Sequence, residues 1–147
     1  MEDTLTYENR ERLYKYLIDD FGFSKVDEGY DSEHFGNYSI TLSGEDFLLC
    51  YVNDRSFLTI NIASKLEPNE FLAVSFIRDF IHNPDRINSD EQDMDNYKRI
   101  ERLNNFIKRD FEKISELYKP NNYYNTKKQI NDLLKLQFEK RFPGMTQ

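Results

Sequence analysis

Residues 34–64 read HFGNYSITLSGEDFLLCYVNDRSFLTINIAS, and their period-two alternation leaves little choice of local structure. Tyr38, Ile40 and Leu42 alternate with Ser39 and Thr41, while Leu58, Ile60 and Ile62 alternate with Phe57, Thr59 and Asn61. Between them residues 47–52 are apolar throughout. A strand half in contact with a core alternates because successive side chains point to opposite faces. If Gly44 and Glu45 form a two-residue turn, Leu42 lies against Phe47, Ile40 against Leu49 and Tyr38 against Tyr51. If Asp54 and Arg55 form another, Tyr51 lies against Leu58, Leu49 against Ile60 and Phe47 against Ile62. Every strongly apolar triplet then shares one face, and a slip of one residue would destroy that agreement. The opposite face carries Leu48, Cys50, Val52 and Phe57, bordered by Ser39, Thr41, Thr59 and Asn61. A covered sheet face or a homodimer contact would both explain apolar residues there.

The flanks read as helix. Leu13, Tyr14, Leu17, Ile18 and Phe21 recur at helical spacing after Thr6, a good N-cap, and before Gly22, a good stop. Residues 23–31 fit a short charged edge strand, with Val26 and Tyr30 on one face. Pro68 is placed to open a second helix that runs to about His82 and is apolar on nearly every side. Ser89 and Gln92 form a capping-box pattern ahead of a long third helix through Tyr118. Thr126 and Gln129 form another ahead of a fourth, with Ile130, Leu133, Leu134 and Phe138 on its buried face and Pro143–Gly144 ending it. A run of strands beside a run of helices is an α+β arrangement in one domain. We expect an antiparallel meander of three to four strands, with an N-terminal helix and three C-terminal helices packed on one face.

Charge divides the chain. Residues 1–95 hold 21 of the 27 acidic side chains and 8 of the 20 basic ones. Such an acidic body repels nucleic acid and suits a basic partner. The later Arg, Lys and Tyr residues (Lys98, Arg99, Arg102, Lys108, Arg109, Tyr123, Tyr124) alternate with Glu101, Asp110 and Glu112, as on a solvated, ion-paired helix face. Asp31 and Glu33, Glu45 and Asp46, and the run Asp90, Glu91, Asp93 and Asp95 are the acidic candidates for partner contact. The single cysteine, Cys50, forms no intrachain disulfide, which suits a reducing cytoplasmic compartment. The polar N-terminus lacks a signal-peptide pattern, and no apolar run approaches the roughly 18 residues of a membrane span.

Catalytic signatures are not visible. The five glycines are scattered and form neither a phosphate loop nor a dinucleotide fingerprint. Two histidines and one cysteine, far apart, make no zinc pattern, and the Asp90–Asp95 run fails the calcium-loop spacing at Tyr97. Neither a metal nor a cofactor is therefore expected. His34, in DSEHFG, and His82, at a helix end, could each pair with a carboxylate; a small hydrolase built on one of them is the enzymatic alternative.

Tyr30-Asp31-Ser32-Glu33, then Phe35-Gly36-Asn37, D-F-L-L-x-x-V-x-D-R, I-x-I-A-S, the later N-Y-x-x-T-K-x-x-I and the final R-F-P-G resemble a group of small bacterial proteins. Some of that group are similar to immunity proteins that bind and block the toxin domain of a polymorphic toxin, often a nuclease. The resemblance implies a non-enzymatic protein that occludes a basic toxin cleft. It implies no contact residues. The other expectation is a small homodimeric structural domain.

Overall fold

The computed structural model describes residues 6–84 and 95–144. A 3-10 turn at Tyr7–Asn9 leads into α1 (Glu11–Phe21). Four long strands follow: β1 (Ser24–Asp31), β2 (Asn37–Ser43), β3 (Phe47–Asp54) and β4 (Phe57–Ser64). A two-residue β5 (Leu72–Ala73) opens directly into α2 (Val74–His82). Then come α3 (Asn96–Arg109), α4 (Phe111–Tyr118) and α5 (Tyr123–Arg141). The sheet is antiparallel throughout, in the order β1-β2-β3-β4-β5. The expected α+β meander with flanking helices is what the chain forms, and β5 adds a fifth strand to it.

The apolar triplets do share one face, but both hairpins are offset by two residues from the expected register. Leu42 pairs with Leu49 and Ile40 with Tyr51; Leu49 pairs with Ile62 and Tyr51 with Ile60. The turns are Glu45–Asp46 and Arg55–Ser56, each one position later than expected. Arg55 and Ser56 have φ of 53° and 68°, the two left-handed residues of a hairpin turn whose twist matches its strands. An even offset preserves facing, so the core assignment survives the change of partner.

Leu13, Tyr14 and Leu17 of α1 join the inner sheet residues Tyr38, Ile40, Leu42, Phe47, Leu49, Tyr51, Leu58, Ile60 and Ile62 in one buried cluster. Val74 and Ile77 of α2, Ile100, Leu103, Phe106 and Ile107 of α3, Ile114 and Tyr118 of α4, and Tyr123 and Ile130 of α5 complete it. All five helices therefore cover the same face. A polar tie crosses this core: the Tyr16 and Tyr51 hydroxyls both donate to Asn104 Oδ1, at 2.9 and 2.7 Å, and the Asn104 amide donates to the Leu13 carbonyl at 3.0 Å. Burial pushes both phenols well above the ordinary range, so they stay protonated donors.

Helix boundaries depart from expectation at several points. Thr6 makes no side-chain cap, and α1 proper starts only at Glu11. Residues 65–71 are turn rather than helix, so α2 begins six residues after Pro68. The Ser89 cap lies outside the described residues, and Asp95 caps α3 by accepting from the Lys98 amide at 2.9 Å. The long third helix is two helices, broken at Asp110, whose buried carboxylate reaches His82 Nε2 at 2.8 Å and Arg109 Nε at 3.3 Å. Burial alone would raise the Asp110 pKa; the bonds from His82 and Arg109 outweigh it and the pKa is lowered. Thr126 is no cap either: it lies inside α5, buried, and donates to the Leu117 carbonyl at 2.9 Å. Leu133, Leu134 and Phe138 are half-exposed rather than buried.

Candidate functional site

Three segments meet at one end of the sheet: the β1–β2 turn (31–37), the β3–β4 turn (54–57) and the start of α3. The Asn37 side chain accepts from the Arg55 amide at 2.7 Å. The Asn96 carboxamide accepts from the Leu58 amide at 3.2 Å and donates to the Ser56 carbonyl. In the first turn, Asp31 Oδ1 accepts from the Glu33 and His34 amides at 3.1 and 3.2 Å, and Asp31 Oδ2 lies 2.6 Å from His34 Nδ1. Burial acts to raise the Asp31 pKa, but the His34 and backbone bonds hold it below the ordinary range. This Asx-type turn delivers Phe35 and Gly36 into left-handed backbone, φ 62° and 66°.

Glycine accepts that backbone without cost, whereas a bulky residue does not. Phe35 is also 73% exposed, so its ring recovers little burial inside the chain. Asp31 and Glu33 belong to the same turn, Asp54 lies in the adjoining one with its carboxylate 3.5 Å from the Asn37 side-chain amide, and Asp95 caps α3 at the same end. Arg55, 78% exposed at the side chain, is the opposing cation, 3.9 Å from Asp54. Phe57 is 42% exposed and lies under the Arg99 guanidinium, 4.2 Å from its ring centre.

The acidic candidates therefore separate. Asp31, Glu33 and Asp95 share this end, although Asp95 is committed to its cap. Glu45 and Asp46 occupy the opposite end, about 23 Å away along a seven-step strand. There Asp46 is held 3.4 Å from Lys119. Asp90, Glu91 and Asp93 lie outside the described residues.

Leu48, Cys50 and Val52 lie side by side on the outer face, as expected. Their cross-strand neighbours are Ser43, Thr41 and Ser39 on one side and Ala63, Asn61 and Thr59 on the other. The apolar strip is thus a single strand wide. Cys50 is buried between its neighbours and takes a weak hydrogen bond from the Thr41 hydroxyl, 3.4 Å from Sγ. Burial pushes its thiol pKa up, which keeps it protonated and unreactive.

Arg99 departs from the solvated basic face expected of it: it is 6% exposed and donates to the Leu58 carbonyl at 2.7 Å and to Asn96. The available signal was spacing: position 99 shares a helix face with Leu103 and Phe106. The left-handed Phe35 was legible only as far as the Asp31 turn that precedes it.

Both histidines contact an aspartate, and neither borders either of two surface grooves. The larger groove, about 320 Å³ between α1 and α3, is bordered by Arg12, Tyr97, Glu101, Asn104, Asn105 and Lys108. A smaller one, about 210 Å³, lies between the segment at Phe71 and α5. Among the described residues no group of three or more His, Cys, Asp and Glu side chains is placed to hold a metal ion, and no helix is long and apolar enough to cross a membrane. No protein family, curated protein or solved structure was found to match this chain.

Proposed function

We propose that this protein is a protein-binding module whose docking surface is the end of the sheet around Phe35, and that its partner presents a basic cleft. The observation that carries the reading is Phe35: a large aromatic side chain, 73% exposed, on backbone that disfavours it, in a turn that also carries Asp31 and Glu33. Strained, exposed residues cluster where a surface is shaped for contact, and aromatic anchors dominate protein interfaces. Asp31, Glu33 and Asp54 supply the electrostatic complement that guides association.

The resemblance to immunity proteins fits this chemistry. In a toxin nuclease, carboxylates on this surface would stand where substrate phosphates bind, with Phe35 anchoring the occlusion. The test is co-expression with the product of the neighbouring reading frame, scoring cell survival and complex formation for the wild type, Phe35→Ala and Asp31→Asn/Glu33→Gln. We expect both variants to keep the fold and to lose protection. Affinity should fall at least about thirtyfold for Phe35→Ala, the loss of a hot-spot residue. Full protection by both variants would remove this surface from the function.

A further inference from the structure

The two edges of the sheet are finished differently. At the β4 edge, Leu58 has both backbone groups bonded by α3: its amide by Asn96 and its carbonyl by Arg99. β5 pairs the next stretch, at Asn61 and Ile62. At the β1 edge nothing comparable occurs. All of β1 except Glu28 is exposed, and among the described residues its backbone pairs with β2 alone, apart from the turn bond from the His34 amide to the Asp31 carbonyl. The inner face of β1 is nonetheless pinned. Tyr7 stacks on Tyr30 with ring centres 3.8 Å apart, and Glu28 is held by Tyr7, Arg10 and Lys25. The strand is thus held in place while, among the described residues, nothing occupies its outer hydrogen-bonding edge, the geometry that accepts an added strand.

We infer that β1 receives an extended, basic segment of the partner as a sixth strand of the sheet. This rests on the docking surface proposed above, because β1 runs straight into the turn that carries Phe35, and it names how that surface is engaged. The occupant's charge follows from β1, Ser-Lys-Val-Asp-Glu-Gly-Tyr-Asp: its three carboxylates outnumber Lys25 and the adjoining Arg10, both of which are spent on Glu28, and Asp27 takes part in no ion pair among the described residues. A second copy of the chain is a poor occupant. Antiparallel self-pairing over the full strand sets Asp27 against Glu28 twice. Of the registers that bring Lys25 to an acid, those with Asp27 and Glu28 centre near Val26, where a bulge already breaks the ladder between Lys25 and Asp27, and the one with Asp31 sets Glu28 against its own copy.

The test uses the whole protein and a labelled octapeptide of alternating lysine and valine. Two further forms are N-methylated at every valine or at every lysine, and a fourth has glutamate in place of lysine. Binding is read by fluorescence anisotropy at low ionic strength and by amide exchange. We expect the lysine peptide to slow exchange of alternate amides of Ser24–Asp31 by at least about tenfold, since an added strand supplies them with partners. At least one N-methylated form should lose about tenfold in affinity, because a blocked edge cannot complete the ladder. The glutamate form should not bind. If both N-methylated forms bind as well as the parent, or the protected amides lie outside β1, edge pairing is overturned while docking through Phe35 stands. Absence of binding by the lysine peptide also overturns edge pairing. Equal binding of the glutamate form overturns the basic occupant, and concentration-dependent protection of β1 without peptide would assign the edge to a second copy. Survival without Phe35 and its carboxylates, in the co-expression test, would instead defeat the docking surface itself.

Discussion

The β4 edge and the β1 edge belong to one sheet and face opposite problems. β4 is capped by side chains of α3, the half-buried Asn96 and the buried Arg99, so α3 gives up a guanidinium to the interior to satisfy one carbonyl. β1 is capped by nothing among the described residues and is decorated with charge. An unpaired edge is a liability that folded proteins usually bulge, charge or cover. β1 carries a bulge and charges but no cover. The difference teaches that closure of β4 serves stability, whereas β1 is kept soluble without being closed. Substitutions that open the first or loosen the second should separate these roles.

The largest effect should come from Arg99→Met. The methionine keeps much of the packing over Phe57 but leaves the Leu58 carbonyl without its buried donor. Losing one member of a buried, charge-assisted contact costs about 3 kcal/mol. Urea unfolding should show that loss with an unchanged slope. A loss below about 1 kcal/mol would mean the β4 edge does not depend on its cap. Gly44→Ala comes next and acts on the start of β1. A Cβ at Gly44 would stand 2.4 Å from the nearest atom of the Phe23 ring, which is itself buried. Phe23 immediately precedes β1, so its displacement should loosen the open edge and cost about 2 kcal/mol, typical of overpacking. Faster amide exchange in Ser24–Asp31 than in Phe57–Ser64 would locate the damage.

Much of this contrast was invisible in the sequence. Alternation in residues 37–62 revealed the strands and the facing of each residue, because burial on one side imposes a period of two. It could not give the partner residues, because an offset of two satisfies the same pattern. Turn chemistry was the deciding term: Arg55 and Ser56 take left-handed backbone although neither is glycine or asparagine. The β4 cap was hidden because Arg99 and Asn96 look like ordinary polar helix residues, and their bonds go to a strand 38 to 41 positions away. At the site, the sequence picked out Asp31 and Glu33 by charge but did not identify Phe35, whose exposure is a tertiary property. It picked out Glu45 and Asp46 by charge too, and the two hairpins put their turn at the opposite end of the sheet from Asp54 and Arg55, as the order of strands and turns implies.

Glu28 tests how firmly the open edge is held. Hydrogen bonds from Lys25 and Tyr7, with Arg10 beside them, lower its pKa to about 2. A depressed carboxylate stabilises the fold fully above its unfolded pKa, about 4.3, and loses that contribution as pH falls toward the folded value. Stability at the β1 edge should therefore decline between about pH 4.5 and pH 2. Glu28→Gln should remove this part of the pH dependence and cost about 1 kcal/mol near neutrality, a modest figure because the group is near solvent. A wild-type acid transition unchanged by the substitution would show that Lys25 and Arg10 hold β1 without their carboxylate.

The smallest effect on stability should be the most informative about purpose. Phe35→Gly removes a bulky side chain from left-handed backbone, which relieves about 1 kcal/mol or slightly more, and the added freedom of the unfolded glycine takes back roughly half. The variant should therefore be more stable by about 0.5 kcal/mol, readable as a small rise in the urea midpoint. A ring that served packing would give the opposite sign, since its deletion would cost buried apolar area. A stabilised Phe35→Gly that no longer engages its partner would mean that the chain bears local strain at the end of its open edge for contact rather than for folding.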